Sequence, residues 1–118
     1  MNNEQAQELW AQGLEATEHV QGKGRMQDGN RYCCLGIGCL IAEQNGVFVE
    51  RWDDTGNIMG YDLRSQPAVR EWLGLNSNIG SNAYSNGITL VGLNDYKGKT
   101  FPAIAAIIRS KPKGLFIC

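Results

Sequence analysis

Tyr32-Cys33-Cys34-Leu35-Gly36-Ile37-Gly38-Cys39-Leu40-Ile41-Ala42-Glu43 holds three of the four cysteines and the longest apolar run of the chain. Its apolar residues recur on every side of a helical wheel, so a helix over Cys33 to Gln44 has to be buried all round. Asn45-Gly46 supplies the left-handed residue that ends a helix. Such a helix is the centre of a fold, and the rest of the chain reads as its cover. Gly36 and Gly38 suit that position, because a missing side chain lets a neighbouring element come close.

Upstream, Asn2 to Thr17 reads as an amphipathic helix with Ala6, Leu9, Trp10, Gly13, Leu14 and Thr17 on its inner face and a capping box from Asn2 and Gln5. His19 to Met26 is too rich in glycine to continue it, and Asp28-Gly29 is a hairpin turn between short strands. Downstream, Val47 to Trp52 has strand composition and Asp53-Asp54-Thr55-Gly56 closes it with a turn. A short helix begins at Pro67, capped by Ser65 or Gln66, turns Val69, Trp72 and Leu73 inward and stops at Gly74.

Four Asn, three Ser and two Gly in the twelve positions 76–87 predict a mobile surface loop. Ile88 to Val91 returns to strand-like content, and Thr100 caps a helix that places Ile104, Ile107 and Ile108 on one face. Lys111-Pro112 ends that helix and leaves 111–118 as a tail. The expected class is α+β: a small single domain over residues 1–118, mainly helical, with a central buried helix at about 33–44 and a minor β-hairpin or short antiparallel sheet.

The 118 residues suffice for one modest core. A hydrophobic share of 42% with 19% charged residues is that of a soluble globular protein. The first residues have neither a basic nor an apolar signal region, so a cytoplasmic location is expected. The apolar run is far below the ~20 residues that cross a bilayer, and no membrane partner is expected. A net charge of -1 argues against general nucleic-acid binding. The charge is uneven, however. Lys97, Lys99, Arg109, Lys111 and Lys113 face no acidic residue from Tyr96 to Cys118, which reads either as a cationic patch or as a solubilising end suited to a helix dipole.

The chemistry-bearing residues are few. With Cys33 and Cys34 adjacent, Cys39 five residues on and His19 the single histidine, the spacing fits no zinc site, and neither a metal nor a cofactor is expected. Cys33 or Cys34 at a helix start could act as a nucleophile with His19 as base and Asn94 or Asp95 as orienter. The commoner role of such cysteines is packing, and that reading is preferred here. Gly36-Ile37-Gly38 lacks the third glycine of a dinucleotide fingerprint. Gly92 to Thr100 ends in Gly-Lys-Thr but spaces its glycines by five residues where a P-loop needs four. What survives is a helix start that offers N–H groups, Lys97 and Lys99 to an anion, set against an ordinary Thr100 cap. Asp53-Asp54 reads as a turn, the tryptophans and Phe101 as core, and Arg31 as either an anion contact or a solvated side chain.

Blocks along the chain resemble a family of small proteins encoded by bacteriophages and prophages. They are Trp10 with Gln21-Gly22 and Met26; Tyr32-Cys33-Cys34-Leu35-Gly36-Ile37; Val69 with Trp72-Leu73-Gly74-Leu75; and Leu93-Asn94-Asp95-Tyr96-Lys97-Gly98-Lys99-Thr100-Phe101 with Ile104-Ala105. The resemblance implies a mainly helical phage accessory protein in the host bacterial cytosol and brings no catalytic residues with it. The expected function is non-enzymatic capture of a small anionic host molecule, such as a signalling nucleotide, as an anti-defence measure. Lys97, Lys99 and Thr100 would meet phosphate, Asn94 and Asp95 ribose or base, and Arg31 a further part of the anion. Two alternatives stand beside it: a protein-interaction module that inhibits a host enzyme, and a cysteine-dependent hydrolase or transferase. A homo-oligomer is compatible with all three.

Overall fold

Helix α1 (Asn3–Ala16) opens the chain in a computed structural model that describes residues 1–81 and 89–117. Its capping box forms as the sequence predicts: Asn2 Oδ1 accepts from the Gln5 N–H and Gln5 Oε1 from the Asn2 N–H, at 2.9 and 3.0 Å. The buried stripe is Ala6, Gln7, Trp10, Ala11 and Leu14, with Leu9 and Thr17 only half-buried. Gln7 goes inward because its amide is satisfied there, donating to the Leu73 carbonyl and accepting from Lys111 Nζ.

Three two-residue strands follow: β1 (Val20–Gln21), β2 (Gln27–Asp28) and β3 (Arg31–Tyr32). β2 and β3 form the expected hairpin, with Gly29 at φ 63° in its turn. The sheet is mixed rather than antiparallel, in the order β1-β3-β2, because β1 adds to β3 in parallel. The loop 22–26 carries the chain from one edge of β3 to the other.

Helix α2 (Cys34–Gln44) is the predicted central helix, and Cys33 is its N-cap, with Sγ accepting from the Gly36 N–H at 3.4 Å. Two covers approach it where it has no side chain. A Cβ on Gly36 would lie 1.9 Å from the Met26 carbonyl oxygen. A Cβ on Gly38 would meet the Trp10 indole nitrogen at 3.1 Å, and that nitrogen donates to the Cys34 carbonyl at 2.9 Å. The helix is apolar all round because the hairpin segment covers one side and α1 another. α3 (Pro67–Leu73) and α4 (Leu90–Asp95) complete the cover, and α5 (Phe101–Ser110) packs against α1. Among the described residues 25 apolar side chains form one buried cluster, so the α+β, mainly helical class holds.

Several local expectations are corrected. Val47 to Trp52 forms no strand, only a single bridge between Arg51 and Ile58. Backbone bonds from Trp52 N–H to Asn57 O and from Met59 N–H to Glu50 O flank that bridge, and the Gln66 carboxamide fills the next position, accepting from the Glu50 N–H and donating to the Glu50 and Met59 carbonyls. Gln66 thus stands at the N-cap position of α3 without using its side chain as a cap. At the other end, Gly74 closes α3 in the left-handed conformation at φ 68°.

Of the expected strand-like stretch, Thr89 makes a single bridge to Ser81, while Leu90 and Val91 are helical, because Thr89 Oγ1 accepts from the Gly92 N–H at 2.8 Å and starts α4. Residues 76–81 of the expected mobile loop are pinned by bonds such as Leu63 N–H to Asn78 O and Asn76 N–H to Leu115 O, while its residues 82–87, with Ile88, lie outside the described residues. The tail is also packed. Leu115 is buried, Phe116 bridges Leu75 and the Ile117 N–H reaches the Gly74 carbonyl at 2.7 Å; Cys118 lies outside the described residues.

The glycine contacts predict a ranked stability series by urea unfolding. Gly36→Ala drives a methyl into backbone and should cost about 3 kcal/mol or more, beyond ordinary overpacking. Gly38→Ala presses on two side chains and should cost ~1–2 kcal/mol. Gly13→Ala meets no backbone but presses on Cδ1 and Cγ1 of Ile41, and the ~1 kcal/mol helix-propensity gain should offset part of that and leave it the mildest of the three.

Candidate functional site

The residues singled out near Asn94 do come together, but their roles differ from those expected. Asn94 ends α4 facing inward, 1% exposed, and its carboxamide makes four hydrogen bonds. Oδ1 accepts from the Cys34 N–H at 3.2 Å and from Gln21 Nε2 at 2.8 Å. Nδ2 donates to the Gly22 carbonyl and to Asp95 Oδ1, both at 2.8 Å. A saturated, buried amide has nothing left for a ligand, so Asn94 is a positioning residue. Asp95 is half-buried and turns Oδ2 to the Gly24 N–H at 3.1 Å. Thr100 Oγ1 is taken by the Ala103 N–H as the cap of α5.

These bonds fasten the loop 22–26 to the connection between α4 and α5. Gln21 adds to the fastening through Nε2, which also donates to the Lys99 carbonyl at 2.8 Å. Lys23 stands between Gly22 and Gly24, both held by the Asn94-Asp95 pair. Arg31 adjoins it in β3, with its Cβ 2.9 Å from where a Gly22 Cβ would stand. Lys23, Arg31, Lys97 and Lys99 are all exposed, and none has an ion pair among the described residues. Asp28, opposite Arg31 on the hairpin, and the engaged Asp95 are the acids of this neighbourhood. The sequence pointed to Lys97, Lys99 and Arg31 but missed Lys23, whose only local signal is a glycine on either side.

The C-terminal cations do not act as one patch. The Arg109 guanidinium forks to Glu8 and Glu15 of α1, at 2.9 Å from Glu8 Oε2 and 2.5 Å from Glu15 Oε2. Its hydrogen bonds hold the Glu8 carboxyl down to about 2 and lower that of Glu15, while the guanidinium itself is raised. Lys111 is turned to Gln7 and lies 5.2 Å from the Phe116 ring centroid. The α1–α5 seam therefore engages Arg109 and Lys111 at one end of the segment and leaves Lys97 and Lys99 at the other.

Cys33, Cys34 and Cys39 are buried and unpaired. Burial pushes the Cys33 thiol up to about 11 and raises Cys34 and Cys39 well above the usual thiol range. Cys34 Sγ faces the Leu90 carbonyl at 3.7 Å and Cys39 Sγ the Met26 sulfur at 3.9 Å. Tyr32 and Cys33 are also buried, so the first turn of α2 does not reach the surface as its position suggested; Arg31 alone does. His19 is exposed with its ring 4.4 Å from that of Tyr32, and no hydrogen bond joins it to a cysteine among the described residues. Nor do the described residues bring three His, Cys, Asp or Glu side chains together as a metal cluster. No helix among them is long and apolar enough to cross a membrane.

A family model described as a domain of unknown function, DUF8296, matches residues 1–112, and the chain belongs to that family. No curated protein and no solved structure matches it.

Two outcomes follow from the geometry. Asn94→Ala strands the Cys34 N–H and the Gly22 carbonyl, and urea denaturation should find a loss of about 2–4 kcal/mol, the cost of buried polar groups left unpaired. In native protein treated with iodoacetamide, peptide mapping should find Cys33, Cys34 and Cys39 unmodified until urea unfolds the chain. Rapid native labelling of Cys33 would instead revive it as a nucleophile.

Proposed function

We propose that this DUF8296 member is a phage-encoded accessory protein that binds a small anionic molecule of the host bacterial cytosol, a nucleotide in the first instance, without transforming it. The observation that carries this reading is the group Lys23, Arg31, Lys97 and Lys99. Four exposed cations, without ion pairs among the described residues, lie on segments bonded to one another through Asn94, Asp95 and Gln21. Exposed charges attract an anion weakly one by one, and several of one sign on a fixed frame add up. The frame matters because no binding energy is then spent on ordering it.

Lys23, Arg31, Lys97 and Lys99 are the direct contacts in this reading, and Asn94, Asp95 and Thr100 hold them in place. Binding without catalysis is supported by Cys33, Cys34 and Cys39, whose buried thiols offer no accessible thiolate among the described residues. The phage setting is supported by the sequence blocks that run from Trp10 to Ala105.

Titration calorimetry against inorganic pyrophosphate and linear and cyclic nucleotides tests the reading. Binding should weaken as salt is added. Lys97→Ala and Lys99→Ala should each weaken it about two- to five-fold, the ~0.5–1 kcal/mol of an exposed charge pair. Arg64→Ala, at an exposed cation away from this group, should not. Absence of heat with all of these anions would remove the proposal.

A further inference from the structure

A second concavity lies on the other border of the loop 22–27, facing the turn 52–61. It encloses about 280 Å³ between Arg25 and Gln27 on one side and Trp52, Asp54, Asn57 and Tyr61 on the other. Its walls are fixed by the backbone. The Met26 N–H donates to the Gly60 carbonyl at 3.2 Å, the Ile58 N–H to Gln27 Oε1 at 2.9 Å and the Trp52 N–H to the Asn57 carbonyl at 2.9 Å. Gly60, at φ 107°, leaves no room for a side chain, since a Cβ would lie 2.1 Å from Ser65 Oγ. The cleft is preformed.

The side chains around it are unusual for a protein surface. Sequence composition places tryptophan in the core, and Trp10 obeys, yet Trp52 is 50% and Tyr61 65% exposed. The Arg25 guanidinium stands 5.8 Å from the centroid of the Tyr61 ring, in cation–π range. At the rim, the Asn57 side-chain amide has no hydrogen bond among the described residues. Asp54 spends Oδ1 on the Thr55 N–H and leaves Oδ2 without a partner there. Aromatic walls, a flat cation and a polar rim with an unspent acceptor match one kind of occupant: a flat ring with N–H groups along its edge.

We infer that the cleft between Arg25, Trp52, Asn57 and Tyr61 receives a single planar heterocycle of the nucleobase type. Stacking is supplied by Trp52 and by the Arg25-Tyr61 pair, and the N–H edge is read by Asp54 and Asn57. At about 280 Å³ the cleft lies just under the range of pockets for drug-sized ligands, which fits one ring system and not two. A protein partner fits less well. An aromatic anchor in an interface is ringed by contacts that exclude water, whereas Asp53, Asp54 and Thr55 beside Trp52 are exposed and polar. The inference uses neither Lys97 nor Lys99 and stands apart from the anion reading.

The test is a ¹⁵N-resolved NMR titration of the full chain with guanosine, adenosine and cytidine, which carry no phosphate, and with ribose alone. At least one nucleoside should give saturable shifts at the Trp52 indole N–H, the Asn57 side-chain amide and the Tyr61 N–H, and ribose none. Trp52→Ala and Arg25→Ala should each weaken binding about five-fold or more, as loss of a stacking partner does. Both side chains are exposed, and retained peak dispersion verifies that each variant folds. No saturable shift with any nucleoside, equal shifts with ribose, or unchanged binding in Trp52→Ala would overturn the inference. Because the probes are uncharged, such a failure is separable from the calorimetric result with pyrophosphate.

Discussion

The carboxamide of Asn94 is the interaction on which the surface of this protein depends. It joins the start of α2 through the Cys34 N–H, the end of β1 through Gln21, and the following loop through the Gly22 carbonyl. Residues 21–22 and the start of α2 thereby meet on one side chain that is 60 to 73 residues away in sequence. An amide suits the junction because it both donates and accepts; a carboxylate could not serve the Gly22 carbonyl, nor an ammonium the Cys34 N–H. Burial sharpens the requirement, since any of these groups left unpaired in the interior costs more than its bond contributes elsewhere.

What Asn94 does from one side, Gly36 does from below. The Met26 carbonyl occupies the space of an absent side chain on α2, so the loop 22–27 rests directly on the central helix. The Met26 N–H then turns outward to Gly60 and ties the same loop to the turn 52–61. A glycine-rich segment, which would sample many conformations alone, is held in one by hydrogen bonds and close packing from three directions. The Tyr-Cys-Cys-Leu-Gly block is thus less a reactive centre than the seat of this loop. Cys33 caps the helix, Cys34 and Cys39 fill the interior, and Gly36 admits the backbone.

The central helix, the hairpin and the caps at Asn2, Gly74 and Thr100 were legible in the sequence because each is decided by residues within a few positions of one another. The errors fall where a distant side chain intervenes. Val47 to Trp52 has strand composition, but its pairing with residues 57–59 stops at Glu50, whose N–H is taken by Gln66, sixteen residues away. Leu115 and Phe116 read as tail because their partners around Leu75 are forty residues away. The site was legible in the same proportion. Lys97 and Lys99 stand out locally, whereas Lys23 joins them only through bonds such as Asn94 to Gly22, separated by 72 residues. Trp52 was assigned to the core on its apolar area, and only the packing of the turn 52–61 reveals that it stays half outside.

The loop 22–27 borders both the cationic group and the aromatic cleft, which constrains how the two faces can influence each other. Its backbone is fastened at Gly22, Gly24, Met26 and, through a side chain, Gln27. Several fastening points favour one conformation of the loop, which leaves little conformational change for a ligand on one face to pass to the other. Charge remains. Lys23 and Arg25 are both exposed on this loop, and exposed charges act on each other over a range that salt limits to ~8 Å. An anion held at Lys23 would lower the local positive potential around Arg25. Coupling of the two proposed sites through these charges would be screened by salt. For the functions proposed, a scaffold that keeps both faces formed would spare a ligand the cost of ordering them.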